Sequence, residues 1–180
     1  MQTSFRFLTP VLLGTALAVL LVIAFVNYRQ ATFTQDIYST YFDARPSHGY
    51  LSERSLAVKE SELDEVLQAG LNAHSNQDYS TALVYFRAYL EDNPEPEDFR
   101  PYTYAATAAM AVGELEEAAA WLHQLPPTGS PASADRTWYL SLIDLRRDQP
   151  EAARLQLQEL ASNNVDRRMA RQATAVMQAL

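Results

Sequence analysis

The chain has 180 residues, 48% of them hydrophobic, and a net charge of −8, with every acid beyond residue 35. That is length for one packed domain plus an accessory segment, and the acidic balance argues against nucleic acid, which needs Lys and Arg gathered on one face. There is no Cys, so disulfides, thiolate catalysis and cysteine-based zinc sites are excluded.

Residues 1–6 form a short N-terminus. From Phe7 to Val26 the sequence FLTPVLLGTALAVLLVIAFV runs 20 residues without a charge. As a helix it covers ~30 Å, the thickness of a bilayer's hydrocarbon core. Pro10 fits the first turn, where its missing N–H costs little. Asn27, Tyr28, Arg29 and Gln30 close the run with a polar set and one interfacial aromatic. A single transmembrane helix is expected over residues 7–27. The alternatives are a cleaved signal peptide and a buried soluble helix. The run is longer than a signal h-region of ~7–15 residues. Its n-region has only Arg6, and Ala24-Phe25-Val26 is a poor cleavage site. Arg6 stands on one side, Arg29 and Arg45 on the other, so charge sets no orientation.

Residues 28–60 connect the span to the helical units and are rich in aromatics. Phe33, Ile37 and Tyr41 are spaced four apart, with Tyr38 and Phe42 beside them, which makes a short helical face. Pro46 and Gly49 break it. Such amphipathic aromatics belong on the first helix pair or at the lipid interface; a peptide that docks a partner is the alternative.

Residues 61–163 read as helix–turn–helix units. In the first, Ser61 starts a helix of about 61–75 in a capping-box-like arrangement with Asp64. Gly70 in mid-helix costs about 1 kcal/mol relative to Ala, so it suggests a close helix approach. Asn76, Gln77 and Asp78 make the turn, and a helix of about 79–92 buries Ala82, Leu83, Phe86, Tyr89 and Leu90. Asn93-Pro94 ends it. The second unit runs about 99–125, with Gly113 opening its turn and Ala118 and Leu122 on its second helix. PPTGSPAS, 126–133, is expected as an exposed loop. The third places Trp138, Tyr139, Leu142 and Leu145 on a helix of about 133–147. Asp148-Gln149 turns the chain, and Pro150 opens the next helix. Residues 164–180 form a capping helix, with Met169, Ala173 and Val176 on its apolar side.

Gly70, Tyr79, Ala82, Phe86 and Pro94 fall at the spacing of one tetratricopeptide repeat, a unit of ~34 residues. Ala118 and Leu122 stand 36 residues after Ala82 and Phe86, and Ala153 and Leu157 another 35 on. Residues 61–162 thus resemble a short tetratricopeptide array of about three units. Ala73 and Ala109 stand where that family has Tyr, and Val66 where it has Trp. The layout is similar to small membrane-anchored tetratricopeptide proteins of bacterial envelopes. The resemblance implies an all-α fold: one N-terminal transmembrane helix, then a short α-solenoid with a C-terminal capping helix. It implies a membrane-tethered scaffold for protein–protein interaction, held by residues 7–27 in a bacterial inner membrane with its C-terminal domain in the periplasm. In the family the first helix of each pair lines the concave groove. The matching positions are Leu67, Leu71 and His74, then Thr103, Thr107 and Met110, then Trp138, Leu142 and Leu145. No Lys and Asn clamp is present among them, so recognition of an acidic C-terminus is not expected. Leu67, Trp138, Leu142 and Leu145 suit a core equally well. The alternative function is a non-catalytic accessory subunit of a larger membrane complex.

No chemistry-bearing constellation appears. His48, His74 and His123 are far apart, without metal-ligand spacing, and read as solvated or capping histidines. Five Gly form no phosphate loop, and no Gly-x-Ser-x-Gly elbow exists. Glu60, Glu62, Asp64 and Glu65 complement a helix N-terminus, and Glu91, Asp92, Glu95, Glu97 and Asp98 read as a solvated turn. No enzyme activity, cofactor or metal is expected.

Overall fold

The computed structural model describes residues 8–44, 64–94, 98–162 and 166–180. The break expected at Pro46 and Gly49, His48, Ser61, and the acids Glu60, Glu62, Glu95 and Glu97 lie outside these residues, as do Asn164 and residues 1–6. Among the described residues there are eight α-helices and no strand.

Helix α1 runs from Leu8 to Tyr41 without interruption, so the boundary expected at residue 27 is no structural break. Nothing from Asn27 to Tyr41 is Gly or Pro. The hydroxyls of Thr32, Ser39 and Thr40 each donate to a carbonyl three or four residues back, so the helix absorbs them. The large apolar side chains from Leu17 to Val26 are 50–63% exposed. This is the one helix among the described residues long and apolar enough to cross a membrane.

Beyond α1 stand three helix–turn–helix pairs: α2 (Glu65–Ser75) with α3 (Tyr79–Asp92), α4 (Arg100–Val112) with α5 (Leu115–Leu122), and α6 (Pro131–Arg146) with α7 (Pro150–Ser162). The turns share one hydrogen-bond design. The N–H groups of Asp78, Glu114 and Gln149 donate to the carbonyls of Ala73, Ala109 and Asp144. Those of Gln77, Gly113 and Asp148 donate to His74, Met110 and Leu145. The residues between take positive φ: 62° at Gln77, 90° at Gly113 and 57° at Asp148. This is a Schellman close repeated three times, at intervals of 36 and 35 residues. After each turn Ala82, Ala118 and Ala153 are fully buried, and so are Phe86, Leu122 and Leu157. Small residues at the crossing let the helices approach closely. At Gly70 the approach leaves no room at all: a Cβ there would stand 2.9 Å from Phe86 Cε1.

Each helix from α2 onward packs on its successor, ending at α8 (Arg167–Ala179). The first helices also meet one another: α2 touches α4, α4 touches α6, and α6 touches α8. Helix α4 is central, with every residue from Pro101 to Met110 buried. Some local readings shift. Asp64 caps α2, which starts at Glu65, its Oδ1 accepting from the N–H groups of Val66 and Leu67. Helix α6 begins at Pro131 because Ser130 and Ser133 close a reciprocal capping box. Asp166 caps α8, which starts at Arg167. Tyr89 is half-buried instead of core.

Candidate functional site

The nine groove positions lie side by side on the three first helices. Leu67, Leu71 and His74 are on α2, Thr103, Thr107 and Met110 on α4, and Trp138, Leu142 and Leu145 on α6. All nine are buried, the most accessible being Trp138 at 5%. The open binding surface expected at these positions is therefore absent. The C-terminal part of α1 is among what covers this side. Ile37 and Tyr38 belong to the same apolar cluster as the six hydrophobic ones among them, and α1 packs on α6 and α8.

Docking runs along a helical stripe. Thr34, Ile37 and Tyr38 are buried and Tyr41 is half-buried, the i, i+3, i+4, i+7 pattern of one helix face. The face is rotated from the one read off residues 33, 37 and 41, because Phe33 is exposed. The Thr34 hydroxyl can turn to Asp148 Oδ1 at 3.2 Å or to the Gln30 carbonyl of its own helix. Arg146 donates to Gln35 Oε1 and lays its guanidinium 5.5 Å from the centre of the Tyr38 ring. The Tyr38 hydroxyl donates to the Met110 carbonyl at 3.4 Å. Tyr38 and Phe42 stack at 5.1 Å between centroids. Past the helix end, the Tyr139 hydroxyl donates to the Asp43 carbonyl at 3.0 Å, and Ala44 is buried. Tyr38 thus rests on the second and third pairs instead of the first; the first pair is approached by Ala44, whose carbonyl stands by His74.

His74 is not a solvated or capping histidine. Its Nε2 lies 3.2 Å from Thr107 Oγ1. Its ring meets Tyr79, Phe86 and Tyr104 near edge-on, at 5.1, 6.2 and 5.0 Å between centroids. Burial pulls its pKa down to about 4, outweighing the Ala44 carbonyl and the Asp43 charge, which act the other way. Nδ1 makes no aligned hydrogen bond, so the Ala44 carbonyl acts by proximity. Burial, with Asp135 and Asp43 adding to it, also pushes the Tyr139 phenol well above its ordinary range, so Tyr139 serves as a donor. These groups position α1; they form no nucleophile–base pair. Among the described residues no three His, Asp or Glu side chains gather as a metal site.

Open clefts among the described residues include two. One of about 700 Å³ lies where α1 leaves the domain, lined by Phe33, Thr34, Asp148, Pro150, Arg154 and Leu180 among others. The other, of about 430 Å³, is lined by Arg87, Leu90, Tyr102 and Trp121. Sequence reasoning missed Thr34, Arg146 and Asp148 as contacts, and missed Tyr139 as the donor to Asp43. The stripe 34, 37, 38, 41 was the available signal for the first.

No protein-family model matches the chain, and neither a curated protein nor a solved structure matches it.

Proposed function

We propose that this chain is a membrane-tethered, tetratricopeptide-like scaffold that holds a protein partner at a bilayer surface. One observation carries the reading: three helix pairs close with the same Schellman turn at 36- and 35-residue intervals, behind one uncovered apolar helix. A repeated pair has no private core and exists to build a surface with its neighbours. In this reading residues 7–27 anchor it in a bacterial inner membrane with the helix pairs in the periplasm, an assignment that rests on the likeness of its layout to envelope tetratricopeptide proteins. It acts without catalysis, metal or cofactor, and nucleic acid is not its partner.

A second reading is favoured by the burial of the nine first-helix positions: a non-catalytic accessory subunit that meets its complex through the span and the aromatic connector. Span exchange separates the two. Residues 8–27 are replaced by an unrelated apolar helix of equal length, and photo-crosslinkers are placed at the exposed Val84 and Leu155. A protein crosslinked to both native and span-exchanged chains supports the scaffold. Loss on span exchange supports the subunit. No adduct at any domain position in either chain refutes the scaffold.

A further inference from the structure

We propose that residues Thr34–Ala44 are a built-in, exchangeable occupant of the concave side, and that the partner this side takes is an amphipathic helix of the same design. The inference rests on the scaffold reading and names its partner class. The occupant touches successive pairs the way a bound peptide would: Asp148 beyond α6, Met110 on α4, Tyr139 on α6 and the ring of His74 on α2. Up to Tyr41 it is helical and satisfies its own backbone, so side chains and the two carbonyls of Asp43 and Ala44 hold it. Those contacts are one apolar stripe and a few single hydrogen bonds. The pairs, by contrast, pack on one another from α2 to α8 without α1. Between Ala44 and Asp64 lie 19 residues, which extended reach up to about 60 Å. Release therefore requires no unfolding of the domain.

The same contacts define the partner. It presents apolar residues at i, i+3 and i+4 and a tyrosine whose ring lies under Arg146 and whose hydroxyl reaches the Met110 carbonyl. One residue position carries an acceptor for the Arg146 guanidinium, where α1 has Gln35. A carboxylate there would make the stronger, charge-assisted bond. A tethered occupant competes at an effective concentration on the order of millimolar, so the native chain is mostly closed.

The test uses the full chain in lipid nanodiscs and a fluorescent peptide of residues 30–44. In the chain, Tyr38→Ala weakens the occupant and leaves the concave side intact. It should raise peptide affinity by at least about tenfold, up to the limit set by a fully open chain, since apparent affinity scales with the open fraction. Because the native chain lacks Cys, Thr34→Cys with Gln149→Cys, at residues that line one cleft, can be joined by a reducible thiol cross-linker. The bridge should abolish binding, and reduction should restore it. Equal affinity in native, Tyr38→Ala and bridged forms overturns the inference. So does absence of binding to Tyr38→Ala chains that keep their helix content. If partner crosslinking at Val84 or Leu155 persists while the peptide never exchanges, the occupant is permanent and the scaffold stands. If both fail, the scaffold falls too.

Discussion

The Tyr38 hydroxyl on α1 donates to the Met110 carbonyl on α4, 72 residues away, inside the buried apolar cluster. Removing the bond alone, with Tyr38→Phe, should cost about 0.5–1 kcal/mol, since its 3.4 Å length puts it at the weak end for a buried bond. Tyr38→Ala adds a cavity and should cost about 3 kcal/mol. Denaturation of the full chain in detergent, tracked by the emission of buried Trp138, measures both. Equal effects of the two substitutions would mean that Tyr38 is not packed against the helix pairs.

His74 supplies a pH dependence with a definite sign. Its folded pKa of about 4 lies below the ordinary 6.5, so the native state holds the neutral ring. Stability from this group is whole above pH 6.5 and falls as pH drops from 6.5 through 4. The full loss is about 3 kcal/mol by linkage. Urea unfolding at pH 7 and pH 4.5 should show a drop in the native chain that His74→Gln reduces. An identical drop in both would assign it to the carboxylates.

Gly70 and Gln77 call for opposite substitutions. Gly70→Ala gains about 1 kcal/mol of helix propensity but drives a methyl against Phe86, which is fully buried and cannot yield. Overpacking of this kind costs about 1–3 kcal/mol, so the net should be destabilising. Gln77 is exposed and left-handed at φ 62°, where a non-glycine residue costs about 1 kcal/mol. Gln77→Gly should raise the melting temperature. Gly113→Ala, at φ 90° in the equivalent turn, should lower it.

The helix pairs were legible because their signals are local. Ala82, Ala118 and Ala153 keep the repeat interval, and the turns at Gln77, Gly113 and Asp148 fall where polar residues and glycine interrupt the apolar period. The side of each first helix that faces inward was legible as well, which is why all nine positions lie together. Whether that side was open or filled was not. Its occupant comes from residues 34–44, and the interval from Thr34 to Asp148 is 114 residues, beyond any periodicity. The boundary at residue 27 misled for a related reason. Hydrophobicity ends there, but no glycine or proline interrupts the chain, so the helix continues into the domain.

The central claim is that one continuous helix serves both as apolar span and as docked cover of the first-helix face. Thiol labelling of single-cysteine chains in native membranes tests it most directly, since the native chain has none. Asp36→Cys and Thr40→Cys should react freely with a water-soluble maleimide, being on the exposed face. Ile37→Cys, buried against the helix pairs, should react at least about tenfold more slowly, because labelling must wait for undocking. Equal rates at residues 36, 37 and 40 would contradict the account.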